Sequence, residues 1–149
     1  MKKFYLAHNF NTRKTIRKWE LKMEGKYNIK LSNPFYDNPY RARDMKMVDS
    51  FIDGSKEQLE YLATRNNSDI VEDDLDLIRK SDGILAFAQD IRVGTPMEIF
   101  FASRILRIPV YIITKRYATH PWIMELATKV FTNQREFEKY AKEKWGMKK

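Results

Sequence analysis

Between Asp69 and Thr114 the apolar residues switch back and forth between two periods, and this alternation limits the fold more than any other feature of the chain. Ile70, Val71, Leu75, Leu77 and Ile78 fall on one arc of a helix, with Glu72, Asp73, Asp76, Arg79 and Lys80 opposite. Gly83 to Ala88 is a strand-length apolar run. Gly94-Thr95-Pro96-Met97-Glu98 opens a second helix, and Pro109 to Thr114 has the continuous apolar run of a fully buried strand. Helix, strand, helix, strand in close succession predicts a parallel α/β sheet.

Two carboxylates break the pattern. Asp74 projects into the apolar arc of the first helix, where an unpaired charge is costly to bury, so it is partnered, protonated or lining a cavity. Glu98 shares a face with Phe101, Ala102 and Ile105, its i+3, i+4 and i+7 neighbours. Acidic groups heading for apolar faces on either side of one strand mark a site. Glu98 also has a structural reading, because Thr95-Pro96-Met97-Glu98 has the pattern of a capping box with proline in the first turn. Gly94 beside it would let a ligand approach the backbone. The helix dipole is expected to keep Glu98 anionic, whereas Asp74, in mid-helix among aliphatic side chains, is expected to hold a proton.

Ahead of this stretch, Lys3 to Ala7 reads as a strand, followed by the loop His8 to Asn11. Thr12 can cap a helix that presents Ile16, Trp19 and Met23 on one face and closes at Gly25. Tyr27 to Leu31 is a second strand. Ser32 to Tyr40, rich in turn residues and tyrosine, reads as a long functional loop whose aromatics either cover a ring-shaped ligand or pack together. Ser55 to Arg65 predicts a further helix, broken at Asn66-Asn67-Ser68. Near the end, His120 to Thr128 is helical, Lys129 to Thr132 is a weak last strand, and Asn133 opens a final helix. The expectation is one domain over residues 1–149, flavodoxin-like or Rossmann-like, with a doubly wound parallel sheet of about five strands and helices on both faces. Ligands bind such sheets beyond the carboxyl ends of the strands, where the loops after Ala7, Leu31 and Ala88 emerge.

With no cysteine, disulfides, thiolate metal sites and a cysteine nucleophile are excluded. His8 and His120 cannot alone build a histidine-rich metal centre, and no carboxylate cluster has calcium-loop or zinc-motif spacing. The apolar run behind Met1-Lys2-Lys3 is too short for a signal peptide or a membrane span, so the expected location is the cytoplasm. The net charge of +8 comes from scattered lysines and arginines rather than a basic stripe with stacking aromatics. Nucleic-acid binding is therefore disfavoured, although a positive field still attracts small anions. P-loop, dinucleotide-fingerprint and nucleophile-elbow motifs are absent.

An ionised nucleophile beside a protonated acid suits retaining cleavage of a glycosidic bond. Phe4-Tyr5-Leu6-Ala7, Asp74-Leu75 through Ser81-Asp82, and Gly94-Thr95-Pro96-Met97-Glu98 together resemble the nucleoside 2-deoxyribosyltransferases and the related 2-deoxynucleoside 5-monophosphate N-glycosidases. The resemblance spans essentially the whole chain. It implies a flavodoxin-like sheet, no cofactor or metal, a homo-oligomer whose subunits complete each other's sites, and double displacement through a covalent 2-deoxyribosyl-glutamate. By position it implies Glu98 as nucleophile, Asp74 as the residue handling the base proton and Tyr5 as the hydroxyl orienting the nucleophile. Asn9, Phe10, Asp90, Arg92, Gly94 and Thr95 would contact a deoxynucleoside or deoxynucleotide. Two positions depart from the family pattern. Pro39 stands where the transferases carry a base-reading glutamine, and Arg92 stands where nucleoside enzymes carry the aspartate that holds the sugar 5-hydroxyl, with Asp90 two residues away. Transfer to a second base and hydrolysis of a monophosphate both remain open. So does a non-catalytic nucleotide-binding module, in which Glu98 merely caps its helix.

Overall fold

Phe4 and Leu6 turn to one side of the first strand, Tyr5 and Ala7 to the other, and all four are buried. Burial on both faces marks a central strand of a covered sheet. The computed structural model describes residues 1–38, 41 and 67–149. In chain order these form β1 (Lys2–Ala7), a 3₁₀ turn (Phe10–Thr12), α1 (Arg13–Lys26), β2 (Ile29–Ser32) and α2 (Asn67–Arg79). There follow β3 (Gly83–Phe87), α3 (Gly94–Phe100), β4 (Val110–Ile113), α4 (Pro121–Leu126), β5 (Lys129–Phe131) and α5 (Gln134–Trp145). All strand pairs are parallel, in the order β2-β1-β3-β4-β5. This is the flavodoxin-like arrangement expected from the alternating periods. Register pairs Tyr5 with Ser32 on one side and with Ile84 on the other.

The two faces carry separate cores. Ile16, Trp19 and Met23 of α1 and Phe137 and Ala141 of α5 pack on Phe4, Leu6, Leu85 and Ile113. Ile78 of α2, Ile99 of α3, and Ile123 and Leu126 of α4 pack on Tyr5, Ile84, Ala86 and Ile112. Gly83 is required where β3 begins. A Cβ there would lie 2.7 Å from the Pro109 carbonyl oxygen and 3.1 Å from the Phe4 ring.

Several expectations are corrected. Gly25 lies inside α1, which runs on to Lys26, and Thr12 makes no side-chain cap but donates its hydroxyl to the Asn9 carbonyl. Val71 is exposed, in the early turns of α2, although it stands seven residues before the buried Ile78 on the same helical face. Ile105 is also exposed rather than inward: residues Phe101–Leu106 wind as a π-helix, whose wider turn rotates the side chains beyond Ala102 away from the α-helical face. At the final helix the cap appears as expected, with Asn133 accepting from the Glu136 amide and Glu136 accepting from the Thr132 amide. The expected helix Ser55 to Arg65, and Pro39 and Tyr40 of the expected loop, lie outside the described residues.

Candidate active site

Tyr5 leaves the middle of β1 on the α2–α4 face and is fully buried. Its hydroxyl donates to Glu98 Oε1 at 2.7 Å, joining residues 93 positions apart. Glu98 does not cap its helix. α3 begins at Gly94, its N-cap position is Val93 with no side-chain cap, and Thr95 is already helical and buried. Glu98 therefore sits in the second turn, facing β1, too far along for the helix terminus to dominate its charge. Burial instead pushes its carboxyl up to about 7, with the neighbouring Asp74 carboxylate acting in the same direction and the Tyr5 hydrogen bond and Arg41 opposing. The expectation of a permanently anionic Glu98 is thus corrected. Burial and the two carboxylates push Tyr5 well above its ordinary value, so it remains a hydroxyl donor.

Of the three options for Asp74, the structure takes partnership. Arg41 Nη1 lies 2.7 Å from Asp74 Oδ1, and Nη2 donates to the Ile70 carbonyl at 2.8 Å. Burial still raises the Asp74 carboxyl, with Arg41 pulling it down in part. Next to it, Asn38 Nδ2 donates to Asp73 Oδ2 at 3.0 Å. Arg41 thus brings a cation into the carboxylate cluster. Nothing in the local sequence signals this, because Arg41 reaches its partner across 33 positions.

The six residues expected to contact substrate divide. Gly94 is exposed with open space above it, consistent with close approach of a ligand, while Thr95 is buried. Asp90 and Arg92 are both exposed and pair with one another, Arg92 Nη2 lying 3.2 Å from Asp90 Oδ2. Asn9 donates through Nδ2 to the Asp90 carbonyl, bridging the loops after β1 and β3. Asn9 and Asp90 also line a pocket of about 350 Å³ whose floor is Ile16, Phe87 and Ile113. Those floor residues belong to the α1–α5 core, so this pocket opens on the opposite face of the sheet from Tyr5 and Glu98. Phe10 packs edge-on to Phe35, with the Arg13 guanidinium over its ring. Aromatics of the expected covering loop pack likewise, Phe35 against His8 and Tyr36 under Arg17. Among the described residues no group of three acidic or histidine side chains is placed to hold a metal.

A second buried polar cluster went unread in the sequence. Glu20 is fully buried on α1 and is held by Asn33 and Arg17. Its signal was available, since Glu20 falls between Trp19 and Met23 on the apolar face of α1, the same anomaly that marks Asp74.

No family model matches this sequence, and no curated protein matches it. Solved structures do. The 2-deoxyribosyltransferase of Bacillus psychrosaccharolyticus aligns over 93% of this chain and 91% of its own, with a TM-score of 0.58 and 20% identity. The 2-desoxiribosyltransferase from Leishmania mexicana aligns over 97% and 99%, with a TM-score of 0.59 and 17% identity. The chain has the fold of these 2-deoxyribosyltransferases over most of its length.

Proposed function

We propose that this chain cleaves the N-glycosidic bond of 2-deoxynucleosides through a covalent deoxyribosyl-Glu98 and passes the sugar to another base. The observation that carries the reading is the 2.7 Å contact between the buried Tyr5 hydroxyl and the half-buried Glu98. A mere capping glutamate has no use for it. Tyr5 fixes Oε1, while Oε2 has no hydrogen-bond partner among the described residues. In the first step a carboxylate oxygen of Glu98 bonds to the sugar C1, the C–N bond breaks, and its electron pair leaves with the base. Asp74, in the fraction that burial keeps protonated against the pull of Arg41, supplies the proton that neutralises the base. In the second step an incoming base nitrogen bonds to C1 as its N–H proton passes to Asp74, and the C1–O bond breaks to release the Glu98 carboxylate. No step calls on a metal or cofactor.

Hydrolysis of a deoxynucleoside monophosphate is the second reading, favoured by the exposed Arg92. Breaking its pair with Asp90 would free the guanidinium for a 5-phosphate. In that case Arg92→Ala lowers kcat/KM for the monophosphate by roughly tenfold to a hundredfold and leaves the nucleoside unaffected. The reading also includes self-association. Phe100, Pro121, Trp122 and Leu126 line an open, largely apolar groove between the helices after β3 and β4, suited to a second copy of the chain.

The deciding experiment incubates the protein with deoxynucleosides and deoxynucleotides, with and without an acceptor base, and follows free base by chromatography. Mass spectrometry of the trapped protein should find deoxyribose on Glu98. Normal turnover by Glu98→Ala would remove the covalent mechanism.

A further inference from the structure

Three loops frame the carboxyl end of the sheet, and one line of hydrogen bonds, buried at its centre, runs through them. It starts at Glu20, whose Oε2 accepts from Asn33 Nδ2 at 2.7 Å. Asn33, fully buried just past β2, is fixed in orientation. Its Oδ1 accepts from the Phe35 amide at 3.1 Å, so the carboxamide cannot flip without orphaning that amide and turning its oxygen toward Glu20. The same Oδ1 lies 3.2 Å from Nε2 of buried His8. On the other side of the ring, His8 Nδ1 lies 3.1 Å from the Asn9 carbonyl oxygen.

Both ring nitrogens of His8 thus face oxygen acceptors. A neutral imidazole donates from one nitrogen only, and its second nitrogen would present a lone pair to an oxygen. Only the imidazolium makes both bonds. From Asn9 the line continues to the Asp90 carbonyl, in the loop that leads to α3 and Glu98. From Asn33 it continues through the amide bond to Asp37 and the Asn38–Asp73 contact, beside Arg41 and Asp74.

We propose that His8 and Glu20, bridged by the Asn33 carboxamide, form a split ion pair whose charge positions the loops around Glu98. They are positioning residues, since neither reaches the Tyr5–Glu98 contact. The proposal deepens the glycosidase reading and rests on it for its activity arm alone. The charged groups facing Glu20 are Arg17 in direct contact, and Asp37 and Glu24 near enough for their charges to act on it. Burial, together with Asp37 and Glu24, pushes the Glu20 carboxyl up to about 7 against Asn33 and Arg17. Burial likewise lowers His8, against its two acceptors. Both shifts oppose separated charge, so what favours the charged pair is the geometry, two oxygen acceptors on the His8 ring and Arg17 on Glu20. Loss of the imidazolium proton leaves one His8 nitrogen opposed to an oxygen and loosens the Asn9 side of the frame.

The chain has two histidines, so His120→Asn leaves His8 as the single imidazole signal. Nitrogen-detected NMR of that variant, without substrate, should show both ring nitrogens protonated near about pH 6 and a titration whose midpoint falls in the added Glu20→Gln variant. A single neutral tautomer from about pH 5 to 8, or a midpoint indifferent to Glu20→Gln, overturns the proposal. The first of these readouts needs no Glu20 variant, so a poorly folding Glu20→Gln does not shelter the idea. In the activity arm, Glu20→Gln and His8→Gln should each lower kcat about tenfold, and the double variant should lose no more than either alone, as for residues acting as one unit. Losses that multiply would show two unrelated structural defects and overturn the frame. If wild type cleaves no deoxynucleoside, the proposed function fails while the NMR result still decides this one.

Discussion

Glu98 is asked to be a nucleophile yet binds its proton up to about pH 7, because the site that shields it from water also penalises its charge. Its activity should follow that ionisation. We expect kcat/KM to rise with pH across the neutral region with a midpoint at about 7, read from initial rates on a deoxynucleoside with a good leaving base. A flat profile from acid to neutral pH would disconnect Glu98 from the rate. Stability should move the opposite way. Glu98 holds its proton more tightly in the folded chain than in the unfolded one, where 4.5 is the ordinary value. Its contribution is therefore full below about pH 4.5 and lost as the pH rises through about 7. Glu98→Gln, which cannot ionise, should stabilise the fold at pH ~8 by on the order of 2 kcal/mol, seen as a higher Tm, and change little at pH ~4. A loss of Tm at both pH values would mean that the Tyr5 contact stabilises the fold more than the buried charge weakens it.

The elements themselves were legible where a period carried the message. Short runs such as Leu85–Ala86 and Val110–Ile113 are buried on both faces, and that alone selects a parallel sheet. Tyr5 and Glu98 could be brought together because each sits at a fixed place on a strand or helix. Arg41 could not, since no local pattern relates it to a partner 33 positions away. Ile105 was misplaced because one π turn shifts the register and no residue type announces it. Two substitutions test the elements. Gly83→Ala must open the junction with Pro109, a backbone contact with no side chain to yield, and should cost about 1–3 kcal/mol in thermal unfolding. Arg41→Met leaves Asp74 buried without its cation and should cost about 2–4 kcal/mol, most of it regained in Arg41→Met/Asp74→Leu. Failure of the second change to restore Tm would show that Arg41 acts through the Ile70 carbonyl instead.

On the scale of the molecule, Tyr5 of β1 and Glu98 of the helix after β3 meet where the strand order turns back on itself, and the chain as a whole carries a net charge of +8. Added salt should slow capture of a monophosphate more than of a neutral nucleoside, because only the former is drawn by the field. The apolar face beside α3 is the other large-scale feature. Trp122→Glu should shift the sedimentation of the protein toward the single chain while Tm at low concentration stays unchanged. Equal sedimentation of both forms would leave that face without a second copy. The same residue also makes the surface observable. Trp19 is 8% exposed and Trp145 packs against the aromatic core, whereas Trp122 is 65% exposed, so Trp122 dominates the red edge of the emission and its quenching by acrylamide. Dilution through an association midpoint would then be visible as a spectral shift in the unlabelled protein, with no substrate added.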